Sequence, residues 1–138
     1  MAFTGNYTAN SFKTQLLNGD VDFSVDTFKI ALYTNDATLD ASTTAYTATG
    51  EVVASGYTAG GNTIAATVGS SSGTSFVNFA NTSWSSALTA RGALIYKFNG
   101  TTNPAVCVLD FGADRASTTT FTVQFPATSS TTALIRLA

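Results

Sequence analysis

Two hydrophobic periods divide the chain. Up to Gly19 the apolar positions recur about every four residues, with Phe12 and Leu16 on one face of a segment that Asn10 or Ser11 can cap and Gly19 can end. This predicts a short helix, marginal by itself, which must dock on a sheet or on a neighbouring subunit. Beyond it the period falls to two. Residues 27–34 place Phe28, Ile30 and Leu32 on one side and Lys29, Ala31 and Tyr33 on the other, the pattern of a half-buried strand. Residues 63–68 and 75–80 read as the next two strands, joined by Gly69-Ser70-Ser71-Ser72-Gly73. Phe76 and Phe79 fall on opposite faces of a regular strand, so one of them must be exposed, covered by a partner or displaced by a bulge.

Residues 90–98 alternate again, with Leu94, Tyr96 and Phe98 opposed to Arg91, Ala93, Ile95 and Lys97. Asn99-Gly100 makes a turn that Thr101 to Asn103 lengthens. Residues 104–111 are apolar on both faces, which predicts a central strand covered on both sides, ending at Asp110-Phe111-Gly112. Residues 119–125 turn Phe121, Val123 and Phe125 inward, and residues 132–137 supply a last strand. Between 35 and 62 the periodicity is weak, and Tyr46, Val52, Val53 and Tyr57 are scattered anchors. A stretch that long predicts a contact loop containing a short helical turn. Seven or so short strands imply a mainly all-β fold, an antiparallel β-sandwich or jelly-roll-like barrel with one short N-terminal helix. The expected organisation is one domain over residues 1–138, with an N-terminal arm and helix over 1–19 and a long contact loop over 35–62.

Composition narrows the function. Charged residues make up 10 % of the 138 positions, against about 25 % in an ordinary soluble domain, whereas Ser and Thr fill 39 positions. Lys and Arg never cluster and the net charge is −2, so neither nucleic acid nor an anionic membrane is an expected partner. No stretch approaches the roughly 20 apolar residues of a membrane-spanning helix. The opening Met1-Ala2-Phe3-Thr4-Gly5-Asn6 has neither the basic region nor the apolar run of a secretory signal. Cys107, the only cysteine, sits among Ala105, Val106, Val108 and Leu109 as a small buried hydrophobe.

Catalysis has little to draw on. There is no histidine, and five of the eight carboxylates crowd the first third of the chain, so the chain is expected not to be an enzyme and to carry no cofactor. Asp20, Asp22 and Asp26 have calcium-like spacing, yet Val25 stands at the required turn glycine and Ala31 at the bidentate glutamate, which favours a solvated turn. Asp110-Phe111-Gly112 lacks every companion motif of a kinase. Trp84 and the tyrosines Tyr7, Tyr33, Tyr46, Tyr57 and Tyr96 could form a sugar platform, but core and interface anchors are the favoured reading. In so weakly charged a chain, Arg91, Arg115 and Arg136 each call for a specific carboxylate, with Asp110 and Asp114 as candidates within or between subunits.

Several longer strings carry a resemblance. Ser11-Phe12-Lys13, the run Asp26-Thr27-Phe28-Lys29-Ile30-Ala31-Leu32-Tyr33-Thr34, Ala37-Thr38-Leu39 with Thr43-Thr44-Ala45-Tyr46, and Gly50-Glu51-Val52 with Gly56-Tyr57-Thr58-Ala59-Gly60-Gly61 resemble a family of small structural proteins of tailed bacteriophages. Ala90-Arg91-Gly92-Ala93-Leu94-Ile95-Tyr96, Val108-Leu109-Asp110-Phe111-Gly112 and Phe121-Thr122-Val123-Gln124-Phe125-Pro126 extend it over nearly the whole chain. The resemblance implies a virion component made in the bacterial host cytoplasm. The first expectation is a capsid decoration or cement protein, a homotrimer bound across neighbouring subunits of the major capsid protein. The alternative is a tail or fibre component, including a sandwich that binds a host glycan. Contacts are expected from Phe3, Tyr7, Phe12, Leu16, Tyr46, Tyr57, Trp84, Arg91, Arg115 and Arg136, on the terminal arm, the long loop and the strands.

Overall fold

The change of period at Gly19 is a change of structure. In the computed structural model, which describes residues 3–138, a strand β1 (Tyr7–Thr8) leads into helix α1 (Asn10–Asn18). Met1 and Ala2, the first residues of the expected arm, lie outside the described residues. The helix ends at Gly19, where φ is 80° and the Gly19 and Asp20 N–H groups close onto the Leu16 and Gln15 carbonyls. Its start differs from expectation. Ala9 is the cap residue, and neither Asn10 nor Ser11 caps with its side chain. The Ala9 and Asn10 N–H groups instead donate to the carbonyls of Val106 and Ala41 at 2.9 and 2.8 Å, so neighbouring backbone does part of a cap's work.

The remaining elements are all strands: β2 (Phe28–Tyr33), β3 (Asn62–Ile64), β4 (Ala66–Ser71), β5 (Thr74–Phe79), β6 (Thr82–Trp84), β7 (Thr89–Lys97), β8 (Ala105–Ala116), β9 (Phe121–Val123) and β10 (Ile135–Leu137). They form antiparallel sheets in the orders β1-β8-β7-β2-β3, β10-β5-β4 and β6-β9. The fold is a mainly all-β antiparallel sandwich with one short helix.

The five-stranded sheet is covered on both faces. Register places Phe28, Ile30 and Leu32 beside Ile95 and Ala93 on one face, and Ala31 and Tyr33 beside Leu94 and Tyr96 on the other. On the first face Phe28 stacks on Phe23 at 4.8 Å and meets Phe79 of β5 edge-on at 6.0 Å, while Phe12 of α1 meets Phe23 at 5.9 Å. On the second, Tyr46 stacks on Tyr96 at 4.9 Å and the Tyr33 hydroxyl donates to the Thr47 carbonyl. The half-buried strand expected at 27–34 is therefore buried on both sides from Ile30 to Tyr33, because the long loop lies across its second face.

That loop has no helical turn. It is held by turns and two single bridges, Tyr33 with Glu51 and Ala45 with Pro104, and by its buried residues Ala37, Leu39, Val52 and Tyr57. It also closes an open edge. Where β3 stops, the Leu32 carbonyl accepts from the Val52 N–H and the Leu32 N–H donates to the Tyr57 hydroxyl at 2.8 Å.

Three strand boundaries differ from the alternation. The expected strand at 63–68 breaks at Ala65 into β3 and β4, which belong to different sheets. The serine-rich connection shrinks to Ser72 and Gly73, both at positive φ, because Gly69 to Ser71 stay in β4. Phe76 is half-buried over Gly69, whose missing side chain leaves the ring its place. The chain does not stop at Asp110-Phe111-Gly112 either. Four residues, Phe111 to Asp114, bulge opposite Arg91 alone, and β8 rejoins β7 with Arg115 facing Ala90.

Candidate functional site

Three constellations gather chemistry-bearing side chains. The first is built on Glu51, the only glutamate of the chain and 8 % exposed. Its Oε1 accepts from the Tyr57 hydroxyl and the Gly60 N–H, both at 2.7 Å, and its Oε2 accepts from the Tyr46 hydroxyl at 2.6 Å. The Tyr96 hydroxyl closes the same turn by donating to the Gly60 carbonyl at 2.6 Å. Burial, and secondarily the Glu51 carboxylate, pushes the Tyr96 hydroxyl up to about 12. The Tyr33, Tyr46 and Tyr57 hydroxyls move further in the same direction, again chiefly through burial. These groups hold their protons and pin the long loop to the sheet.

The second is Arg91 with Asp110, an ion pair across the neck of the β8 bulge, with the guanidinium also over the Phe3 ring at 5.8 Å. Burial opposes ionisation of Asp110, but the Gly112 N–H and the Arg91 guanidinium together outweigh it and hold the carboxyl below the usual range. Arg91 thus finds the carboxylate expected of it. Within the single chain Arg115 and Arg136 have none: among the described residues they donate to the carbonyls of Phe111 and Thr131 and pair with no carboxylate.

The third is an apolar groove of about 140 Å³ between the end of α1 and the small sheet. Leu16 and Phe23 form one wall, and Val68, Val77, Ile135 and Leu137 the other. Val68 and Leu137 are 59 % and 58 % exposed, and the neighbouring Leu17 is 87 % exposed. The sandwich stays open here.

The ten expected contact residues divide accordingly. Phe3, Phe12, Tyr57 and Trp84 are buried in the core of the single chain. Phe3 fills the space a side chain at Gly92 would occupy, and Trp84 lies between Tyr57 and Phe121 at 5.8 and 6.4 Å. The burial of Trp84, Tyr33, Tyr57 and Tyr96 leaves no exposed sugar platform there. Arg91 is buried by its pairing, and Tyr46 is half-buried where the loop packs on Tyr96. Tyr7 is half-buried on the edge strand, its hydroxyl 2.7 Å from that of Thr4. Leu16 joins the groove, while Arg115 and Arg136 stand exposed.

Sequence reasoning missed Glu51, although its being the sole glutamate, beside Val52 and Val53, was a signal. It missed Val68 and Leu137 because strand alternation says which residues share a face, not where that face runs past its cover. Cys107 is sealed as expected, its thiol pushed by burial up to about 12. The candidate calcium loop closes on itself, with Asp26 accepting from the Asp22 N–H and Asp22 from the Ser24 N–H and hydroxyl. No protein-family model, curated protein or solved structure matches this chain.

Proposed function

We propose that this chain is a bacteriophage virion structural protein, a capsid decoration protein that binds across neighbouring major capsid subunits as a homotrimer. The observation that carries this reading is the apolar groove beside α1, open at Leu17, Val68 and Leu137 in a chain otherwise coated with hydroxyls. A patch of this kind favours burial against another protein, and a lining without charged side chains lowers the desolvation cost. The sealed tyrosines and thiol support a role in adhesion, as does the loop pinned through Glu51. Repetition over a symmetric shell would make individually weak contacts effective.

The test is stoichiometry on separated heads and tails. A decoration protein is present in hundreds of copies on heads and raises their melting temperature when added back to stripped particles. A variant with Val68→Glu and Leu137→Glu should stay folded, since both positions are exposed, and should no longer rebind. Recovery of the protein only with tails, in a handful of copies, would refute the proposal.

A further inference from the structure

The β8 bulge creates a second concavity, on another part of the molecule. Pushing Phe111 to Asp114 out of register opens a cleft of about 380 Å³ between the end of β8 and β9, within the size range of small-ligand sites. The cleft is shallow and open, lined by Phe111, Arg115, Ser117 and the β9 segment from Thr120 to Gln124. Its chemistry is mixed. Phe111 offers a half-buried ring braced by Phe121 at 6.1 Å. Gln124 and Thr120 have exposed side chains without a hydrogen-bond partner among the described residues, and Arg115 uses one nitrogen on the Phe111 carbonyl. The rest of the Arg115 guanidinium is free to take a carboxylate in a two-pronged pair.

Asp110 does not compete, because Arg91 holds it, and Asp114 does not line the cleft. A lone arginine without flanking cations is a poor match for a phosphodiester chain. A wholly apolar ligand would leave the guanidinium, amide and hydroxyls unmatched. A ring to stack on, amide and hydroxyl groups for sugar hydroxyls and one forked cation fit a sugar that carries a carboxylate.

We propose that the cleft between the β8 bulge and β9 binds carboxylated saccharides, uronic or sialic acids, with Arg115 on the carboxylate and Phe111 under the sugar ring. This holds whichever part of a particle the chain occupies.

The test is saturation-transfer NMR and calorimetry on the full chain, with oligogalacturonate and a sialylated trisaccharide as probes and their neutral counterparts and acetate as controls. The acidic saccharides should transfer saturation and bind at least about tenfold more tightly than the neutral ones. Arg115→Gln should remove that margin, Arg115→Lys should keep part of it, and Arg136→Gln should leave it intact. Both positions of change are exposed, and circular dichroism verifies the folding of all three variants. The proposal fails if neither acidic saccharide binds, if neutral sugars bind equally well, if Arg115→Gln binds undiminished, or if acetate alone binds as tightly as the trisaccharide.

Discussion

Glu51 is the residue whose environment departs furthest from its sequence surroundings. A buried carboxylate with no cation beside it is tolerated here because three donors converge on it, and a hydrogen bond to a charged group is worth about 1.5–3 kcal/mol. Replacing it separates two effects. Glu51→Leu leaves the Tyr57 hydroxyl and the Gly60 N–H without an acceptor and should lower unfolding stability by about 3 kcal/mol. Glu51→Gln keeps one oxygen for them and should cost about 1 kcal/mol, with urea denaturation giving the order. Equal losses from both would mean that the negative charge, which both variants lack, rather than acceptance by an oxygen, is what the site needs. The Arg91 and Asp110 pair gives a residue-scale dependence on pH. Its carboxyl titrates lower in the folded chain than in the unfolded one, so the stability it adds is present above the ordinary aspartate value of about 3.9 and is lost as pH falls through the folded value. Asp110→Asn should therefore flatten the acid limb of the stability profile while leaving the limb above pH 8 in place.

At the scale of elements, the distinction that decides most is between a bend forced by packing and a bend left free. Gly61 has φ 76°, and a Cβ there would stand 1.7 Å from the Ile30 carbonyl oxygen, where the loop crosses the edge of β2. Gly112 has a similar φ, 82°, but open space around it at the crest of the bulge. Gly61→Ala should thus abolish folding or cost well over about 3 kcal/mol, whereas Gly112→Ala should cost about 1 kcal/mol of backbone strain alone. Comparable thermal melts for the two variants would refute this account of the loop. The same contrast explains what the chain revealed in advance. Elements whose cover comes from regular neighbours, such as β7 and the inner half of β8, were legible because alternation and apolar runs report burial directly, whereas alternation located β2 but not the cover that the irregular loop lays over its second face. The break at Ala65 was not, since Thr63, Ile64 and Val68 alternate without interruption and only pairing with two different sheets divides them. The short strands β1 and β6 were missed for a related reason: two or three residues are too few to show a period.

For the molecule as a whole, the tyrosines set a limit on the alkaline side. Tyr33 and Tyr57 are 0 % and 9 % exposed, the half-buried Tyr46 stacks on the buried Tyr96, and burial raises all four hydroxyls. In the unfolded chain these groups ionise near pH 10, so above that value the unfolded state binds fewer protons than the folded one and stability falls. Each hydroxyl kept neutral, Tyr33 and Tyr57 above all, then lowers stability by about 1.4 kcal/mol for every further pH unit. Cys107 acts with the same sign from about pH 8.5, the unfolded thiol value, until its own folded value near 12. The domain should therefore resist acid better than base and lose its fold in one cooperative step between about pH 10 and 12. Tyrosinate absorbance from Tyr33, Tyr46, Tyr57 and Tyr96 should rise together with the loss of circular dichroism, and alkylation of Cys107 should track the same transition. A rise in absorbance from all the tyrosines near pH 10, with the β-sheet spectrum unchanged, would show that the loop over 35–62 opens independently of the sheet. In that event Glu51 would be a hinge and no longer the pin that makes loop and sandwich one body.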